Sequence, residues 1–240
     1  MLLGRLLLRQ SPVGVRRYSR LPSKSLEKVL SGNRRFVDSK KKEDSKFFEK
    51  LASAPHTPEF LWIGCSDARV PANIITGLEA GELFVHRNIA NLVVAADLNL
   101  LSVLQYSVET LKVDHVILCG HYGCGGVKAA TNIQDHGLLE NWLRNIRDVQ
   151  RLHLDELTAI PDEDQRYRRL VELNVEEQCY NLFKTGIIQK SLKARKAPWI
   201  HGCVYDLADG EMHELDIDFQ GYHDKYGHLY SLYDDDEKSK

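Results

Sequence analysis

Short, nearly continuous apolar runs punctuate the chain. Phe60-Leu61-Trp62-Ile63-Gly64-Cys65, Leu83-Phe84-Val85-His86-Arg87 and His115-Val116-Ile117-Leu118-Cys119-Gly120 each predict a buried strand. Trp199 to Asp206 and Met212 to Ile217 predict two more, joined through Asp209-Gly210 as a hairpin. Helical spacing fills the intervals. Pro71 suits the first turn of a helix over 71–77, and Asp97 caps one carrying Leu101, Leu104, Val108 and Leu111. Further helices are expected near 126–131, over 138–150, and over 163–194 with a break near Thr185-Gly186. Upstream, Ser25 reads as the N-cap of a helix through Leu26, Leu30 and Phe36. Lys40-Lys41-Lys42 reads as a solvated connector, and Phe47 to Leu51 as a second short helix.

Strand–helix alternation through three units implies an α/β fold. The expectation is a mainly parallel central sheet with helices on both faces, a C-terminal antiparallel edge strand and an N-terminal helical arm. The expected divisions are a presequence over 1–18, the arm over 19–55, the α/β domain over 56–220 and a polar tail over 221–240 with Asp234 to Glu237 exposed. Composition suits this: 240 residues, 43% hydrophobic, are enough for one sizeable core. A net charge of −2 gives no general attraction to nucleic acid or anionic membrane, and no apolar run approaches the roughly 18 residues of a membrane helix.

The first twenty residues depart from that average. Arg5, Arg9, Arg16, Arg17 and Arg20 interleave with Leu2, Leu3, Leu6, Leu7 and Leu8, and the first acid is Glu27. That is the composition of a mitochondrial presequence, with a cut expected after Tyr18 and the matrix as destination. Five cysteines, an odd number spread along the chain, do not form a disulfide framework and suit a reducing compartment.

Three of the donors suit a metal. Cys65 ends the first strand, and His121 and Cys124 follow the third in Gly120-His121-Tyr122-Gly123-Cys124-Gly125-Gly126. In parallel α/β sheets, sites form at the carboxyl ends of strands, so donors 56 positions apart (121 − 65) can meet. Two thiols and an imidazole suit Zn²⁺, and three protein ligands leave the fourth position for water or substrate. A four-ligand structural site, with Asp67 or a distant His as the fourth donor, remains the alternative. Asp67 and Arg69 can point the same way from an extended segment, the guanidinium keeping the carboxylate ionised. Zn²⁺ with two thiolates and a neutral imidazole has no net charge, so it should be a weaker Lewis acid than a three-histidine site, and an alkaline optimum is expected. The glycine spacing does not match a phosphate loop.

These motifs resemble the β-class carbonic anhydrases: Cys65 to Pro71, Gly81 to Asn91, and Gly120 to Gly126, in that order, within a likeness covering roughly residues 25–220. The resemblance implies that Cys65, His121 and Cys124 bind Zn²⁺, that hydroxide at the zinc attacks CO₂ to give bicarbonate, and that Asp67 and Arg69 orient it. It implies an apolar pocket at Phe84, Ile89 and Tyr106. His56 stands where the family often carries a glutamine that donates to bicarbonate, so that donor is altered here. Trp62, Arg87 and Tyr205 are similar to the bicarbonate site of a bacterial subtype in which Asp67 would leave Arg69 and close the zinc site. A homodimer or homotetramer, with the arm wrapping its neighbour, is also implied. Hydrolysis of a related small electrophile such as CS₂, and a non-catalytic zinc-stabilised interaction protein, are the competing functions.

Overall fold

The computed structural model describes residues 24–233. The expected presequence, and the acidic run from Asp234, lie outside the described residues. The chain divides into two compact units at Ala54/Pro55.

The first unit holds α1 (Lys24–Glu43) and α2 (Phe47–Ser53). Phe36 and Phe48 meet edge to face with ring centroids 6.0 Å apart. Two expectations are corrected here. Ser25 lies inside α1 rather than at its cap, and Lys40, Lys41 and Lys42 form its last turn rather than a connector. Lysine is a good helix former, and cations complement the negative end of the helix dipole.

The second unit is built on a five-stranded sheet of order β2-β1-β3-β4-β5. Its strands are β1 (Phe60–Cys65), β2 (Leu83–Asn88), β3 (His115–His121), β4 (Trp199–Tyr205) and β5 (Met212–Glu214). The first four run parallel, and β5 returns antiparallel on β4. Leu61, Ile63, Val116, Leu118 and Val204 build the main core with Val171, Val175 and Cys179 of α8 (Glu163–Phe183). Full burial of each aliphatic side chain is worth about 1.5–3 kcal/mol. On the opposite face, Trp62, Cys119 and Cys203 pack with Ile117, Tyr205, and Ala72 and Ile75 of α3 (Ala72–Thr76).

Asp97 caps α4 (Leu98–Gln105) by accepting from the Asn99 and Leu100 amides, and the helix then widens into a π-helical turn, Tyr106–Leu111. α5 (Gly125–Thr131), α6 (Leu139–Leu152) and α7 (Leu154–Ala159) follow β3. α8 ends where expected, and the Thr185 hydroxyl caps α9 (Gly186–Arg195). The segment read as a polar tail instead forms α10 (Phe219–Tyr230). Its Tyr222 ring stacks on Tyr180 of α8 at 4.1 Å, and Phe219 meets Phe183 at 5.7 Å, so aromatic faces anchor it. Among the described residues, no helix is long and apolar enough to cross a membrane.

Candidate metal centre and active site

β1 and β3 are parallel neighbours with Gly64 opposite Cys119, so Cys65 and His121 leave the sheet at the same edge. The chain then turns at Gly123, whose φ of +71° favours glycine, and Cys124 becomes the N-cap of α5. Cys65, His121 and Cys124 are all buried, and one ligand atom from each lies within 4.8 Å of the others. The two sulfurs are 3.9 Å apart. Two zinc–sulfur bonds of about 2.3 Å at a tetrahedral angle would separate the sulfurs by about 3.8 Å. His121 Nδ1 is 3.0 Å from the Tyr122 carbonyl, while Nε2 is buried without a partner. An imidazole that donates from Nδ1 presents its Nε2 lone pair, which is what a metal requires.

The thiols carry the same message. The Cys124 thiol and then His121 hold the Cys65 thiol well below its ordinary pKa, aided by the Asp67 and Ala90 amides. Cys124 is driven the other way by its bond to Cys65 and by burial. Two adjacent buried thiolates therefore need a cation between them, and a divalent ion meets that need. The residues fit zinc. Ala90 reaches this position with φ +62°, in the left-handed region that residues other than glycine rarely adopt. The Asn174 side chain donates to the Ala90 carbonyl at 3.1 Å and supports that conformation.

Asp67 and Arg69 meet as the sequence suggested. Arg69 Nε donates to Asp67 Oδ1 at 3.0 Å and Nη2 to Oδ2 at 2.7 Å, and the Arg69 amide adds a third bond to Oδ1 at 2.9 Å. The Arg69 bonds hold the Asp67 carboxyl well below the usual carboxylate range. Arg87 fixes the main chain beneath, donating from Nε to the Cys65 carbonyl at 2.7 Å and from Nη2 to the Asp67 carbonyl.

The remaining candidates separate. Ile89 adjoins the metal loop: a Cβ on Gly126 would come within 2.8 Å of its Cγ2. Phe84, Tyr106 and His56 form an aromatic row, with centroids 5.9 Å apart for Phe84–Tyr106 and 5.8 Å for His56–Phe84. Phe84 lies opposite Leu61 in the register. Four residues of strand, about 13 Å, separate that level from Cys65. Trp62, Arg87 and Tyr205 share one sheet face by register, and Trp62 Nε1 is buried without a partner. Sequence reasoning missed Ala90, Asn174, Tyr167 and Glu172, whose partners lie 43 to 84 positions away.

The model of the family described as carbonic anhydrase matches residues 60–212. The chain is 53% identical to a carbonic anhydrase of Emericella nidulans over 206 residues, 86% of this chain and 90% of that one. It is 32% identical to a mitochondrial β carbonic anhydrase of Arabidopsis thaliana over 170 residues, 68% of this chain and 58% of the other. A crystal structure from work on two tetrameric β-carbonic anhydrases of Sordaria macrospora superposes with a TM-score of 0.76 at 39% identity, covering 80% of this chain and 98% of that one. The chain therefore belongs to the β-class carbonic anhydrases, zinc enzymes that interconvert CO₂ and bicarbonate, and its Cys65, His121 and Cys124 cluster fits a zinc site.

Proposed function

We propose that the protein hydrates CO₂ at a zinc ion held by Cys65, His121 and Cys124, with Asp67 and Arg69 as the orienting pair. The observation that carries this reading is the two-oxygen grip of Arg69 on Asp67 beside the buried donor set. Bound zinc supplies Lewis acidity, lowering the pKa of a water so that hydroxide is available near neutrality or above. Asp67 is ionised and can only accept, so with the metal bound it would accept the O–H of the nucleophile and orient it toward CO₂. Arg69 keeps Asp67 in that role, and keeps it from becoming a fourth ligand. Ile89 offers an apolar surface to a substrate without net dipole. Stopped-flow CO₂ hydration on protein of known zinc content tests the reading, and an inactive zinc-loaded protein would refute it.

Phe84, Tyr106 and His56 serve a pocket that a second copy completes across the edge strand β2. Half-exposed Val85 and Tyr106 beside that edge, and the distance of the row from Cys65, support a homodimer or homotetramer. His56, an exposed imidazole beside Phe84, passes protons between this pocket and buffer. The Arg-rich segment before Glu27, and a mitochondrial relative, support import into the mitochondrial matrix. The presequence boundary after Tyr18 completes the proposed organisation.

A bicarbonate-sensitive closed state is the second reading, favoured by the unpartnered Trp62 Nε1. An anion drawn to Trp62, Arg87 and Tyr205 would compete for the Arg87 donors that now hold the Cys65 and Asp67 carbonyls. Releasing the Asp67 main chain would let its carboxylate leave Arg69 and turn to the metal.

A further inference from the structure

One stretch of α8 meets the metal loop at three points. Tyr167 Oη donates to the Cys124 carbonyl at 2.7 Å. The Arg168 guanidinium lies 3.5 Å from the centroid of the Tyr122 ring, and its Nη2 donates to Asp206 Oδ2 at 2.9 Å. Glu172 Oε1 accepts from Tyr122 Oη at 2.6 Å, while Arg169 holds its Oε2 at 3.0 Å. The Tyr122 main chain is tied as well. Its amide donates to the Tyr205 carbonyl at 3.0 Å, and its own carbonyl accepts from His121 Nδ1 at 3.0 Å.

The consequences run through the backbone. A shift of the Tyr122 carbonyl turns the His121 ring and redirects Nε2. A shift of the Cys124 carbonyl moves the start of α5 and, with it, Sγ. Gly120, Gly123, Gly125 and Gly126 leave this segment with little rigidity of its own, so its shape must be imposed from outside.

We propose that Tyr122, Tyr167, Arg168 and Glu172 are positioning residues that brace the 121–124 loop against α8, so that the grip on zinc is set by this helix. The proposal rests on Cys65, His121 and Cys124 being the ligands. Groups that orient metal ligands typically change metal affinity about 10–100-fold when removed. The brace also explains why the Tyr122 side chain, bonded to Glu172 and covered by Arg168, is so fully engaged.

The test measures zinc release from the holoenzyme to a chromogenic chelator, alongside the visible spectrum of the cobalt-substituted protein. Tyr122→Phe and Tyr167→Phe each remove one hydroxyl and are expected to release zinc about 10-fold faster, with shifted cobalt–thiolate bands. Glu172→Gln keeps an acceptor for Tyr122 and should stay near the wild-type rate, whereas Glu172→Ala should not. Wild-type release from both Tyr→Phe variants overturns the proposal, as does equal behaviour of Glu172→Gln and Glu172→Ala. If Glu172→Ala does not fold, the two Tyr→Phe variants decide. Cys65→Ser separates the two levels: loss of zinc there with unchanged Tyr→Phe variants refutes the brace alone, while retained zinc refutes the ligand reading.

Discussion

Asp67 Oδ2 lies 3.8 Å from His121 Nε2 while Arg69 grips the same carboxylate at both oxygens. A carboxylate this close to a metal donor set has two available roles. It can join the donors, or it can accept a hydrogen bond from what the metal activates. Three bonds from Arg69 favour the second. The ion pair is partly exposed and contributes little to stability by itself, so its value lies in orientation.

Replacing Asp67 by Asn keeps the shape and removes the charge. We expect kcat to fall about 10²-fold or more with zinc content unchanged. Arg69→Lys should show a similar but smaller loss, since lysine cannot reproduce the two-point grip. Metal analysis beside stopped-flow kinetics checks both variants.

The pH dependence follows from the direction of the shifts. Asp67 has its folded pKa depressed, so its pairing with Arg69 is present above the ordinary carboxylate pKa and is lost only as pH falls through the lower folded value. It therefore stays ionised across a neutral-to-alkaline assay. Hydration should rise toward alkaline pH through the nucleophile, with no ionisation of Asp67 in the profile. Zinc needs both thiols deprotonated, and the Cys124 thiol is held protonated beside Cys65 without a metal, so zinc affinity should fall on acidification. Metal titrations at several pH values measure that trend.

Gly120 tests the packing behind the site. A Cβ there would lie 2.6 Å from Val175 Cγ2 on α8. Gly120→Ala should lose about 1–3 kcal/mol of stability, read by denaturant unfolding of the zinc-loaded protein.

Trp62→Phe removes one buried donor and little volume. If bicarbonate acts at Trp62, Arg87 and Tyr205, this variant should keep basal hydration and lose bicarbonate inhibition. An unchanged inhibition curve would remove that site from the account.

Much of this was legible in the sequence, for identifiable reasons. β1 and β3 are buried on both sides and announce themselves as apolar runs, while β2 showed through Leu83-Phe84-Val85 although it is a half-exposed edge strand rather than the buried one expected. The α8–α9 break showed because Thr185-Gly186 carries a capping hydroxyl. The donor set showed because strand ends in parallel sheets converge. Lys40 to Lys42 misled because a charge run looks alike in a loop and in the last turn of a helix. α10 was hidden because its anchoring comes from Tyr222 stacking on Tyr180 of α8, with Phe219 edge-on to the same ring, rather than from an apolar period. The brace around Tyr122 was unreadable because its partner, Glu172, is 50 residues away and carries no motif.

The most direct test is stopped-flow CO₂ hydration across pH on a purified sample whose zinc is measured in parallel. The account predicts one zinc per chain and a hydration rate that climbs toward alkaline pH, both abolished by Cys65→Ser. One zinc per chain with no hydration at any pH would contradict it.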